Sequence, residues 1–295
     1  DANTTASYNV AVGYGAVGAN TTGVNNVGIG TNALDSNTTG GNNTAVGRHA
    51  CGTNTTASNN TGVGYGALAT NTTGGNNTAV GYQALDGNTT AANNTALGYQ
   101  ALKANTTGAS NVAVGMGALI AATTANNNVA IGQSCLDAAT TGSTNTAIGL
   151  GCLGALTTGS FNVANGWDCG MSLTTGSYNT LIGGKSGDVL TTGTKNVCMG
   201  YDAGGGLVTA HESTLIGFGT AQSLADHDRN TVVGHEGFLL SYGIGCTAIG
   251  HRAGGDNTNT DRSVYIGYEA GWNQQAVSAD YQLWIARDDA GAGND

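Results

Sequence analysis

Six cysteines and five histidines are the residues of this 295-residue chain best suited to hold a metal ion. Cys135, Cys152 and Cys169 recur at a spacing of 17, and His235 and His251 at a spacing of 16. Metal sites legible in a sequence place ligands a turn apart, as in CxxC or HExxH, and neither motif occurs. The cysteines therefore read as small buried side chains with free thiols, and the histidines as a stacked surface ladder. No metal and no cofactor is expected. Carboxylate chemistry is equally thin, because residues 1–200 hold six Asp and no Glu. Without a converging nucleophile, base and orienting group, the chain is not expected to be an enzyme.

The spacing of 17 is the chain's own period. A unit N-[TV]-A-[VIL]-G-x-x-x-[AC]-L-x-x-x-T-T-G is written out in Asn77-Thr78-Ala79-Val80-Gly81-Tyr82-Gln83-Ala84-Leu85. Its glycine falls every 17 residues from Gly13 to Gly234, then at Gly250 and Gly267, with Ala286 in the same place of a last coil. Positions below are counted from this glycine. Residues −3 and −1 are β-branched or large and −2 is small, an alternation of period two that marks a strand. A 17-residue unit is too short for a pair of helices. The expected fold is all-β: a parallel β-solenoid of 17-residue coils.

Stacking in register places like on like. Asn43, Asn60, Asn77 and Asn94 at −4 are expected to form an amide ladder. Gly47, Gly64, Gly81 and Gly98 are expected to supply a backbone angle or close approach that a Cβ forbids. Paired threonines, Thr38-Thr39 through Thr191-Thr192, form a second polar ladder. The chain has no proline, as expected where every coil donates N–H groups to the next. The alanine at −2 is taken to face away from the coil core, as an apolar face wanting a partner. Three chains about one axis would cover it, which predicts a homotrimer.

A net charge of −10 excludes a nucleic-acid partner. No apolar run is long enough to insert in a membrane. The chain begins mid-repeat at Asp1-Ala2-Asn3-Thr4-Thr5, with no leader pattern, as a piece of something longer would.

Asn-Val-Ala-Ile-Gly at 128–132 and Asn-Thr-Ala-Ile-Gly at 145–149 resemble the repeats in the heads of bacterial trimeric autotransporter adhesins. That resemblance implies a left-handed β-roll in which three chains make one rod. The longer pattern at 71–85 is more similar to repeats of phage and phage-like tail fibres. Ser263 to Gly271 and Leu283-Trp284-Ile285-Ala286 resemble the end of such arrays, after which an intramolecular chaperone domain often follows in those fibres. The resemblance implies a structural fibre that mediates adhesion of a bacterial virus to its host, located in the virion. A microbial cell-surface adhesin or extracellular filament is the alternative, and a polysaccharide-degrading tailspike the weakest reading.

Residues 1–200 read as a regular shaft and 201–295 as its degenerate continuation with longer charged loops. The latter hold 12 of the 18 acidic residues and four of the five histidines. Irregular loops on a rigid scaffold are where binding concentrates. His211, Glu212, Asp226, His227, Asp228, Arg229, Tyr242, Asp256, Arg262 and Trp272 are the candidates for contact with a host glycan or protein receptor. A degenerate cap protecting the solenoid end is the competing reading. Asn-x-Thr sequons at Asn20, Asn37, Asn54, Asn71 and Asn88 would be glycan sites only in a eukaryotic secretory route.

Overall fold

A computed structural model describes residues 5–239, 243–255, 260–272 and 280–286. Among them there is no helix. The chain is a parallel β-solenoid with one three-residue strand per coil, seventeen strands among the described residues. It divides into two compact units, residues 1–158 and 159–295. The first carries nine strands, β1 (Val10–Val12) to β9 (Thr146–Ile148). The second carries eight, β10 (Val163–Asn165) to β17 (Leu283–Ile285). Each strand occupies −3 to −1 of the repeat. Within each unit neighbours pair in parallel at the same repeat position, as Thr44↔Thr61 and Val197↔Thr214 show.

The faces of the strand are the reverse of the sequence expectation. The −2 residues Ala45, Ala79, Ala96, Ala113 and Ala130 are wholly buried inside the coil. The −1 residues turn outward, with Leu97 47% and Ile131 39% exposed. The reason is the bore of the coil. In the first unit each winding from β2 onward already buries a +3 alanine or cysteine and a +4 leucine or cysteine, such as Ala84 and Leu85, leaving room for no more than a methyl at −2. A Cβ added at Gly62 would lie 2.7 Å from Cys51 Sγ, so +4 of one winding packs on −2 of the next.

That contact is a volume exchange, and the second unit runs it the other way. In three successive windings there +4 is Gly170, Gly187 and Gly204, and −2 of the windings that follow grows to Leu181, Cys198 and Leu215, each fully buried; further on, Phe238 at +4 again meets a small −2, Ala248. A Cβ on Gly204 would sit 3.2 Å from Leu215 Cδ1 of the next winding, and one on Gly187 3.0 Å from Leu181 Cδ2 of its own, so a large −2 side chain fills the space of +4 in both windings. Position +4 takes a left-handed backbone, with Leu85 at φ 51° and Gly187 at φ 58°. Leucine there carries a conformational cost that glycine avoids. Full burial returns about 1.5–3 kcal/mol per leucine.

Repeat glycines are fixed by two constraints at once. Gly47 has φ +133°, and a Cβ on it would stand 2.5 Å from the carbonyl oxygen of Gly64 in the next winding. Position −5 is also left-handed, as at Asn42, Asn59, Asn76 and Asn93, where asparagine tolerates the conformation better than most residues.

Two asparagine ladders run inside the first unit. At −4, Asn43 Oδ1 accepts the backbone N–H of Asn60 (2.9 Å), and Asn43 Nδ2 donates to the carbonyl of Ala57 (2.9 Å) at the end of the same winding. Asn60, Asn77 and Asn94 repeat the pattern. The second ladder, at +7, links amide to amide: Asn37 to Asn20 at 2.8 Å, and so on to Asn105. It was not anticipated as a ladder, because the same asparagines read as sequons. Asn20, Asn37, Asn54, Asn71 and Asn88 are buried to 1% exposure or less, with the Nδ2 that a glycan needs already donated. Other sequon asparagines, Asn42, Asn59, Asn76 and Asn93, are exposed.

All six cysteines are free and buried. Burial alone pushes the thiols of Cys51 and Cys198 up to about 12.

Candidate functional site

In the second unit the outward positions of successive windings line up as columns. At −6, each polar side chain caps the coil before it. His211 Nδ1 accepts the N–H of Thr194 (3.0 Å), and Asp228 Oδ1 accepts the N–H of His211 (2.8 Å). Asp261 Oδ1 does the same for Ile244 at 2.9 Å. At −5, Glu212 is bracketed by Lys195 (3.1 Å) and Arg229 (3.3 Å), all three well exposed. These two cations hold the Glu212 carboxyl below its ordinary value, Lys195 contributing most.

Four of the sequence-predicted recognition residues are thus brought together: His211, Glu212, Asp228 and Arg229, on two adjacent windings. Their polar atoms bond to one another's backbone or side chains, so the cluster stiffens the stack as well as presenting charge. Asp226 and His227 lie on the turn before them, where the carbonyl of His227 accepts from Asn230 Nδ2 at 3.0 Å. Arg262 belongs to a later winding and donates to the Tyr281 hydroxyl (2.9 Å), its guanidinium 5.5 Å from that ring's centre. Trp272 is apart from the cluster, under the guanidinium of Arg252 at 5.0 Å. Tyr242 and Asp256 fall outside the described residues.

A third column, at +1, is a continuous stack of rings: Tyr201, Phe218, His235, His251 and Tyr268, with centroids 5.1–5.5 Å apart and planes within 18°. The first unit has its own stack, Tyr65, Tyr82 and Tyr99. The columns follow directly from the period, because each winding puts +1 above +1. No protein-family model and no curated protein matches the chain.

The first unit also carries a cleft of about 430 Å³ that the sequence reading missed. It opens where +2 and +5 lose their side chains at Gly52, Gly66 and Ala69, and it is lined by Asp35, His49, Tyr65, Gln83 and Asp86 among others. Burial raises the Asp86 carboxyl, partly offset by Lys103. The signal was present as glycines replacing polar residues at two repeat positions. Without knowing that +2 and +5 share one outer face, those changes look unrelated.

A further outer feature is apolar. In the first unit the −1 column runs Val12, Ile29, Val46, Val63, Val80, Leu97, Val114, Ile131 and Ile148, one on every strand, half-buried or exposed. The second unit shows the same column in Met199, Ile216, Ile249 and Ile266, each 36–43% exposed. No helix among the described residues is long and apolar enough to cross a membrane.

Proposed function

We propose that the chain is a non-enzymatic fibre protein of a bacterial virus, a homotrimer of left-handed coils that attaches the virion to a glycan or protein on the host surface. The observation that supports it most is the outward −1 stripe. An unbroken line of Val, Ile and Leu on nine successive strands is the kind of exposed apolar surface that marks a protein–protein contact. Its partner is argued from its regularity: a stripe repeating at one winding is matched in length and spacing by the same stripe on another copy. Three copies around one axis let each narrow stripe meet its equivalents without leaving an open end to the association. With the strand's orientation corrected, −1 rather than −2 is the apolar face that such a trimer would cover, and the reason for proposing it is unchanged.

Adhesion rests on the resemblance of the repeats to tail-fibre arrays and on the exposed charged cluster around Glu212 and Arg229. The test has two arms. Sedimentation equilibrium should give three times the 29.1 kDa chain mass, and Leu97→Lys with Ile131→Lys should reduce it to one; a monomeric wild type at micromolar concentration removes the trimer. Labelled wild-type fibre should bind cells of a susceptible host, and Glu212→Ala with Arg229→Ala should weaken that binding at least tenfold. Unchanged binding by that variant moves recognition away from the cluster.

A further inference from the structure

We propose that His235, Glu236 and His251 form a site for one divalent transition-metal ion of the zinc type, clamping strands β14 (Thr231–Val233) and β15 (Thr247–Ile249). One ligand atom from each residue lies within 4.8 Å of the other two. For any three atoms so spaced there is a point no farther than about 2.8 Å from each (4.8 Å divided by √3). Zinc–nitrogen and zinc–oxygen bonds are about 2.0–2.2 Å, so each ligand must close in by less than about 0.8 Å. Two imidazoles and a carboxylate are the donor set such ions favour, and the fourth position is open to water.

Two observations support a ligand there, and two more set what must move to admit it. His251 Nδ1 is shielded from water and has no hydrogen-bond partner, an unmet need that a metal would satisfy. Glu236 lies 3.9 Å from His235 Nδ1 and is held in its charged form chiefly by Arg252, whose Nε is 2.7 Å from Oε2. Arg252 thus places a positive charge where the ion's charge would act. In the same conformation its guanidinium lies 5.0 Å from the centre of the Trp272 ring, a contact it can keep if it releases Glu236. The two rings are stacked within 8° of parallel, whereas imidazole lone pairs lie in the ring plane. One ring must therefore rotate, and His235, 48% exposed, has the room.

The position gives the ion a task. Strands start 17 residues apart from β1 to β14, and the β14–β15 step, at 16, is the first to depart from the period; the β16–β17 step, at 19, is the other. A metal bridge across that step would brace the winding where the period breaks.

The competing account is a plain ring stack, and phenylalanine separates the two. Phe218 already occupies this column, so His235→Phe and His251→Phe keep the stacking and remove a ligand. Equilibrium dialysis of the full chain against Zn2+ at neutral pH should show saturable uptake of one ion per chain and a rise in melting temperature. Either phenylalanine variant should lose at least tenfold in affinity, while Arg252→Gln, freed of the competing cation, should bind several-fold tighter. No uptake at about 1 mM Zn2+, affinity unchanged in both phenylalanine variants, or weaker binding by Arg252→Gln overturns the site. Because the readout is metal uptake, it is independent of whether the chain is trimeric or binds a host.

Discussion

Removing one amide from the +7 ladder should cost far more in its middle than at its end. Asn71 Nδ2 donates to Asn54 Oδ1 and to the carbonyl of Gly74, each at 2.9 Å, and Asn71 Oδ1 accepts from Asn88 Nδ2 at 2.8 Å. Asn71→Ala therefore deletes three buried hydrogen bonds, at about 1 kcal/mol each, and leaves Asn54 Oδ1 buried without a donor, for about 1–3 kcal/mol more. Gly74 keeps a partner, because Asn60 Nδ2 also donates to its carbonyl. Asn105 is the last member, since the next winding carries Ala122, and its Oδ1 already has no donor. Asn105→Ala deletes two bonds and moves that orphan to Asn88 without adding one, for about 2 kcal/mol. The side-chain volume lost is the same in both, and both sites are fully buried, so the cavity contribution cancels. The expected difference is about 2–4 kcal/mol. Solenoids open locally, so native-state hydrogen exchange resolved by peptide over residues 54–105 is the proper assay. Equal loss of protection in the two variants would refute the ladder as an energetic unit.

The exchange of volume between −2 and +4 predicts that Leu181→Ala costs about 2–5 kcal/mol and that adding Gly187→Leu recovers at least half, read from chemical denaturation; no recovery would separate the two positions. Gly47→Ala forces both an unfavourable φ and a backbone clash and should cost about 3 kcal/mol or more, measured the same way. Cys51 and Cys198 have thiols raised from the ordinary 9.0 to about 12, so unfolding gains ionisation energy once pH passes 9. Their contribution to stability is complete below pH 9 and is lost as pH rises toward 12, so Cys51→Ser with Cys198→Ser should flatten the fall in melting temperature over that window. Native thiols should also resist alkylation at pH 8 until denaturant is added.

The strand positions, the period and the glycine column were legible in the residues because they depend on local pattern repeated many times. Val27–Ile29, Thr44–Val46 and their counterparts each end one residue before the repeat glycine. The buried −4 asparagines were legible for the same cause. The +7 ladder was hidden, since Asn20-Thr21-Thr22 gives no sign of which side chain points inward. Among the recognition candidates, His211 and Asp228 stand 17 residues apart, but they read as members of separate irregular loops rather than as one column. Nor did that spacing foretell that each would spend its acceptor on the preceding winding's backbone. Glu236 was passed over altogether, because a ligand set spanning two windings has no short motif.

By itself, the sequence determined that this chain winds in 17-residue parallel coils, since a strict period forces each backbone segment to meet its own copy. Only the tertiary structure decided which face of the strand is the inside. Alternation guarantees two faces but carries no measure of the bore, and the bore is set by how Leu85 and its equivalents fill the coil from the opposite wall. With that space taken, alanine goes in and valine, isoleucine and leucine come out. The −1 stripe therefore lies on the outside of the coil.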